Sequence, residues 1–286
     1  FPMANKILIP VDFSEHSYKA IAYAGALNKS VYHDIDLVHV FTDYNDIYKD
    51  SQSNTDLIDP RVGSAKRDMQ KIVSELVATN PELNVNVIFR DGNIYNEIRK
   101  LTAKNEYDAI VMGTKGSSGL DAVLSGSNMY DVFENTQVPV LAVPLTDRKI
   151  RLNKVGLLCN FKDGEIEVLK QAIRLLGKDF ELILIHINTD NADVKGIDKK
   201  FKDFIHRIIQ ETGVDDISYV IKNQAFFIQY KENVSKSIDS VIEDEQIDLL
   251  LVTKSKKGFL RKVMEENIVR KMAYQIQIPK FFAKLS

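Results

Sequence analysis

The chain has 286 residues, 44% apolar and 27% charged, with one cysteine and a formal net charge of −2. This is ordinary globular usage, which excludes disordered, collagen-like and coiled-coil readings; a lone cysteine excludes an intrachain disulfide framework and a multi-cysteine zinc site. Residues 1–149 carry 15 basic and 20 acidic side chains (net −5) and residues 150–286 carry 23 and 20 (net +3), so neither half has the basic excess of a dedicated nucleic-acid binder.

Phe1-Pro2 ahead of Met3 reads as an appended dipeptide, with the natural start expected at Met3. The N-terminus lacks the charged and apolar regions of a secretory signal. No run nears the roughly 18 apolar residues of a membrane span, and the expectation is a cytoplasmic protein. Short apolar runs rich in Val and Ile predict strands buried on both faces near 6–12, 35–41, 84–89, 107–112 and 138–143. Between them, Ser14 predicts a helix N-cap with Tyr18, Ile21 and Ala22 behind it. Ile94, Ile98 and Leu101 form a second helical stripe, and Met129, Val132 and Phe133 a third. The polar stretch 42–63 reads as a long loop. Further strands are expected near 153–159, 180–187, 217–222, 247–252 and 277–283, with helical faces at Val168, Ala172 and Leu175 and at Phe201, Ile205, Ile208 and Ile209.

The second series repeats the first. Lys6–Phe13 recurs as Lys154–Phe161 at an offset of 148, Leu37–Val40 as Leu184–Ile187 at 147, and Tyr107–Met112 and Gln137–Pro139 as Ile247–Val252 and Gln277–Pro279 at 140. Four blocks in one order with drifting offsets indicate a duplicated domain, 1–147 and 148–286, with a boundary in the polar stretch 146–151. The β-α alternation with unbroken apolar strands implies an α/β fold: two tandem open parallel sheets with helices on both faces.

Such sheets bind ligands outside the carboxyl ends of their strands. After the first strand comes Pro10-Val11-Asp12-Phe13-Ser14; after the fourth comes Gly113-Thr114-Lys115-Gly116-Ser117-Ser118-Gly119, and then Gly126-Ser127-Asn128 at a helix start. Glycines let a ligand approach the main chain, and N–H groups at a helix N-terminus favour an anion. This loop and helix start would together cradle a polyphosphate, whereas Asp12 would repel phosphates and suits a ribose hydroxyl or an adenine amino group. Glycines after strands also make simple turns. The spacing matches neither a Walker A loop nor G-x-G-x-x-G.

Gly113-x2-Gly116-x9-Gly126-Ser127 resembles the G-2x-G-9x-G-[ST] signature of ATP-binding universal stress proteins, and Ile7–Ser14, Leu37–Val40 and Gln137–Val143 resemble that family's first, second and last strands. The resemblance spans nearly the whole chain as a tandem pair. It implies an adenine-nucleotide α-hydrolase-like fold that binds ATP in the first domain, with Mg2+ on the phosphates compatible with it, and a stress-response or signalling role. Asp12 would meet the adenosine, the Val40 backbone the adenine edge, and Pro10, Val11 and Met112 would line the site. Gly113, Gly116, Gly126, Ser127 and Asn128 would surround the phosphates, with Lys115 adding charge. It also implies pairing through the last strands, here Pro139–Val143 with Pro279–Ala283, as an intrachain pseudo-dimer; association of two chains into a homodimer and an unidentified protein partner stay open. Arg90–Asn93 resembles the family's turn after the third strand.

The second half departs from the signature. Gly113, Gly116, Gly126 and Ser127 become Thr253, Lys256, Glu266 and Asn267, and Pro10 and Asp12 become Leu158 and Asn160. No nucleotide site is expected there, and the basic run Lys254, Lys256, Lys257, Arg261 and Lys262 reads as a solvated face. His39 and His186 read as core or rim residues, His16 and His206 as helix-surface residues and His33 as near a loop. Cys159 reads as structural, and Phe226, Phe227 and Tyr230 as packing residues. No metal-ligand spacing, G-x-S-x-G elbow or H-x-G-H motif is present. Three functions therefore compete: ATP as a bound signal, slow ATP hydrolysis, and a ligand-free interaction scaffold.

Overall fold

The computed structural model describes residues 5–41, 60–114, 127–188, 192–223, 234–254 and 277–284. The first series runs β1 (Lys6–Pro10), α1 (Glu15–Leu27), β2 (Asp34–Phe41), α2 (Pro60–Thr79), β3 (Val85–Asp91), α3 (Ile94–Lys104), β4 (Ala109–Gly113), α4 (Ser127–Asn135) and β5 (Val140–Val143). The second runs β6 (Lys154–Leu158), α5 (Asp163–Leu176), β7 (Glu181–Asn188), α6 (Val194–Thr212), β8 (Ile217–Asn223), α7 (Val234–Asp244), β9 (Leu249–Lys254) and β10 (Lys280–Lys284). The chain forms two compact units, residues 1–140 and 141–286. The expected division at 147/148 lies further on, in the segment that joins β5 to β6.

Strand order in the first unit is β3-β2-β1-β4-β5, and in the second β8-β7-β6-β9-β10. β1 pairs in parallel with β2 and β4, and β6 likewise with β7 and β9. The order reverses between β1 and β4, and again between β6 and β9; these are the crevices where such sheets take ligands. Right-handed crossovers place the first two helices of each series on one face and the next on the other. Accordingly α5 packs on α6, and α3 on α4.

All ten expected strands form, and their central residues Ile7–Ile9, Ala109–Val111, Leu182–Leu184 and Leu249–Leu251 are fully buried. Burial on both faces explains why they read as continuous apolar runs. The helices differ more from expectation. Residues 60–63 of the expected loop begin α2, where Pro60 stands at the first helical position, a place that needs no amide hydrogen; residues 42–59 lie outside the described part. Helix α2 turns Ala65, Met69 and Ile72 inward, and α7 likewise buries Ile238, Val241 and Ile242. In α1 the buried face is Ala20, Ile21, Tyr23, Ala24 and Leu27, while Tyr18 and Ala22 face solvent. In α6 it is Ile197, Phe201, Phe204 and Ile208, with Ile205 half-buried and Ile209 exposed.

The first unit buries a charged cluster around Asp36. Asp36, 2% exposed, sits in the middle of β2. It accepts from the Tyr107 hydroxyl at 2.6 Å and Asn86 Nδ2 at 3.3 Å, and pairs with Lys6 Nζ at 2.8 Å. Burial first and the Asp36 hydrogen bond second raise the Tyr107 pKa, so its proton stays in place. The corresponding residue of the second unit, Ile183, is apolar and buried. Removing one donor from a buried carboxylate leaves part of its desolvation uncompensated, at about 1–3 kcal/mol. Tyr107→Phe is therefore expected to lower stability by about that amount, read as a lower urea midpoint at unchanged slope.

Candidate functional site

At the crevice of the first unit, Ile7 and Leu8 pair with Ala109 and Ile110. Continuing that register sets Pro10 beside Met112 and Val11 beside Gly113. The sequence-predicted residues Pro10, Val11, Asp12, Met112 and Gly113 are thus brought together at two adjacent strand ends. Val11 and Met112 are buried, Asp12 and Gly113 half-buried. Val40 is half-buried near the end of β2, one strand over from Pro10. Lys115, Gly116 and Gly126 lie outside the described residues. Ser127 and Asn128 open α4; their side chains are also outside the described part.

The turn after β1 has an unusual backbone. Phe13 takes φ 61°, a left-handed conformation that costs a bulky residue of order 1–3 kcal/mol unless its surroundings enforce it. Three interactions enforce it here. The amide of Val11 donates to Val38 O at 2.8 Å. His39 Nδ1 lies 2.7 Å from Val11 O; a carbonyl only accepts, so this nitrogen carries the proton. The imidazole also meets the Phe13 ring at 4.8 Å and Phe41 edge-on at 4.6 Å. Asp12 Oδ1 then accepts from Ser14 N at 3.1 Å and Ser14 Oγ at 2.6 Å, while Ser14 Oγ caps α1 by accepting from Ser17 N at 3.3 Å. The Asp12 carboxylate is held at the crevice by one of its oxygens.

Gly113 has a packing role that the sequence reading did not assign. A β-carbon there would stand 2.6 Å from His16 O and 2.7 Å from His16 Cβ on α1. Glycine lets α1 lie directly on the end of β4, which fixes the distance between the Asp12 turn and the loop that follows Gly113. The turn after β3 is also structural: Gly92 takes φ 120°, its amide donates to Phe41 O at 2.9 Å, and Asn93 caps α3 by accepting from Tyr95 N and Asn96 N.

The second unit repeats the frame and changes its contents. Phe161 takes φ 63°, its ring lies 5.0 Å from His186, and His186 Nδ1 lies 2.8 Å from Cys159 O. His39 and His186 thus hold backbone, as core or rim residues would. At Gly113's counterpart stands Thr253, 5% exposed; the counterpart of His16, on the helix that packs there, is Gly164. Ser17 becomes Glu165, which is 4% exposed. Its carboxylate accepts from Asn160 N at 2.8 and 2.9 Å and from Lys162 N at 3.2 Å. Desolvation first raises its pKa, to about 7. Burial likewise pushes the Cys159 thiol well up, so this cysteine is inert as a nucleophile at neutral pH. Sequence reasoning missed Glu165 and Gly164; the available signal was the pair of substitutions at the 148 offset.

Of the remaining candidates, His16 is half-buried and His206 exposed on their helices, and His33 lies in the loop before β2, fully buried, with Nδ1 2.8 Å from Val31 O. Phe226, Phe227, Tyr230, Lys256, Lys257, Arg261, Lys262, Glu266 and Asn267 lie outside the described residues. Among the described residues no group of three His, Cys, Asp or Glu could hold a metal ion, and no helix is long and apolar enough to cross a membrane.

Residues 3–144 match the model of the universal stress protein family. Two curated proteins of Methanocaldococcus jannaschii are similar: universal stress protein MJ0531, 28% identical over 139 residues (49% of this chain, 81% of that one), and universal stress protein MJ0577, 27% identical over 156 residues (49% and 95%). The crystal structure of a universal stress protein from Archaeoglobus fulgidus shares the fold over 98% of this chain and 96% of its own, at a TM-score of 0.68 and 19% identity.

Because the Gly113 contact is with backbone, even one methyl group there must displace α1. Gly113→Ala is expected to destabilise the protein by about 1–3 kcal/mol, measured by urea unfolding without any ligand. A change within about 0.5 kcal/mol, typical of an ordinary surface site, would refute the packing role.

Proposed function

The chain is a member of the universal stress protein family through residues 3–144, and on that premise we propose that its first domain, residues 1–147, binds ATP as a signal whose occupancy alters the surface seen by a partner. The observation that carries this reading is the placement of the spaced-glycine signature. It starts at Gly113, where the end of β4 lies beside Val11 and the Asp12 turn at the switch point, and its last residue, Ser127, is the first of α4. In this reading the phosphates meet the N-terminus of α4 and the main chain around Gly116 and Gly126, where the N–H groups and the helix dipole favour an anion. Ser127 and Lys115 add a hydroxyl and a positive charge, and Asn128 borders them. Asp12 takes a ribose hydroxyl or the adenine amino group, Val40 meets the adenine edge through its backbone, and Pro10, Val11 and Met112 line the base side. Mg2+, if bound, rides on the phosphates.

Phosphoryl transfer needs a positioned nucleophile and charge stabilisation at the γ-phosphate. Asp12 stands at the nucleoside end in this reading, so a bound signal is favoured over turnover. The second domain, residues 148–286, is assigned a structural or partner-binding role. Its crevice carries Thr253 and Glu165 in place of Gly113 and Ser17.

Nucleotide content and affinity together test the proposal. Protein denatured after purification is expected to release an adenine nucleotide, and stripped protein to take up one Mg-ATP per chain by calorimetry. Gly126→Val, which puts a branched side chain where the phosphates approach, should weaken binding at least tenfold while leaving the urea midpoint near wild type. Two sites per chain would overturn the assignment of the second domain; no uptake by folded protein would overturn ATP binding and favour the interaction scaffold.

A further inference from the structure

Val11, the residue that leads into the crevice turn of the first unit, has both of its main-chain groups bound to β2. Its amide donates to Val38 O at 2.8 Å, and its carbonyl accepts from His39 Nδ1 at 2.7 Å. That carbonyl belongs to the peptide joining Val11 to Asp12. The imidazole is itself seated among rings, with Phe13 at 4.8 Å, Phe41 edge-on at 4.6 Å and Phe89 at 6.4 Å. Further on, Asp12 Oδ1 accepts from Ser14 N and Oγ, and Ser17 Oγ donates to Ser14 O at 2.9 Å. These last bonds lie within residues 12–17 and travel with the turn. The two at Val11 tie it to the sheet. The second unit keeps the clamp, with His186 Nδ1 2.8 Å from Cys159 O, but carries Asn160 where Asp12 stands. Clamp and carboxylate come together only in the first.

We propose that His39 is a positioning residue that makes the first-unit crevice select a nucleoside. Its Nδ1 donor holds the Val11–Asp12 peptide, and through it the Asp12 carboxylate, where the nucleoside end of the ligand arrives; without that donor the crevice accepts polyphosphate alone equally well. The inference rests on the ATP reading given above and follows from how that site divides. The phosphates meet the loop after β4 and the start of α4, whereas Asp12 lies on the turn after β1. An ionised carboxylate only accepts hydrogen bonds. It therefore selects hydroxyl or amino donors, which a nucleoside has and a bare polyphosphate lacks. Such selection requires the group to be held within about 0.5 Å of its place by supporting bonds, and the support for Asp12 comes from β2.

The test compares full-length wild type, His39→Phe and His39→Asn. Each is titrated by calorimetry with Mg-ATP and with magnesium tripolyphosphate, and each is unfolded in urea. Phenylalanine keeps a ring among Phe13, Phe41 and Phe89 but has no donor. Asparagine loses the ring but carries its amide nitrogen one bond from Cγ, as Nδ1 is. Wild type is expected to prefer ATP. His39→Phe should weaken ATP binding about tenfold or more, the size of one hydrogen bond to a charged group, and leave tripolyphosphate binding unchanged. His39→Asn should keep the preference for ATP even where the lost ring lowers its urea midpoint. His186→Phe, the same change in the second unit, should alter neither affinity. Equal affinities in wild type, parallel loss of both ligands or a retained preference in His39→Phe, or a lost preference in His39→Asn would overturn the positioning role while ATP binding stands. Wild type that takes up neither ligand would overturn the ATP reading, and this inference with it.

Discussion

The strand-end turn that puts a phenylalanine in left-handed backbone is the constraint on which each unit is built. Neither Phe13 nor Phe161 would hold φ near 60° unaided. In both places a histidine two strand positions from the end of the neighbouring strand supplies the restraint, by donating from Nδ1 to the carbonyl two residues ahead of the phenylalanine and stacking against its ring. The turn then delivers the chain directly into the first helix of the unit, with Ser14 or Lys162 as N-cap. What lies at the crevice, Asp12 in one unit and Asn160 in the other, sits on backbone set by this clamp, and the Asp12 carboxylate is then fixed by Ser14.

With the frame held in common, the differences between the units concentrate where the first helix meets the crevice. In the first unit Gly113 lets the backbone of α1 touch the end of β4, and Ser17 spends its hydroxyl on Ser14 O at 2.9 Å. In the second, a side chain has appeared on the strand as Thr253 and one has vanished from the facing helix turn as Gly164, so helix and strand still pack. Glu165 then brings a carboxylate onto the turn amides from within the chain. These are matched changes, and their common effect is to fill the helix–strand junction with protein groups.

The strands were legible because a parallel sheet covered on both faces demands unbroken apolar runs, and few other structures do. The duplication was legible because those runs recur in order. Helices α2 and α7 were not: Pro60 and the polar residues before it look like loop, and a four-residue stripe such as Ala65, Met69, Ile72 and Leu76 is weak in an otherwise charged segment. On α1, alanines pack the buried face closely, and a reading that follows large side chains selects Tyr18, which is 42% exposed. Lys280 escaped entirely. It sits at the head of an apolar strand, 2% exposed, where burial lowers its pKa to about 8 against the pull of Asp239; nothing in its neighbours along the chain signals that the ammonium is enclosed. At the site, the position of His39 was readable but not its bond to Val11 O, since residues 28 apart meet only once β1 and β2 pair.

The two units also hold the turn before their first helix with different acceptors. In the first, Asp12 Oδ1 accepts from the Ser14 amide. Donors left without a partner in a buried turn would cost about 1–3 kcal/mol each, so the Asn160 and Lys162 amides of the second need an acceptor of their own. Glu165 fills that need, but a carboxylate enclosed with a thiol and backbone amides is itself hard to keep charged, which is why its pKa rises to about 7 in spite of three hydrogen bonds that pull it down. That acceptor follows from placing one glutamate where the first unit has a serine.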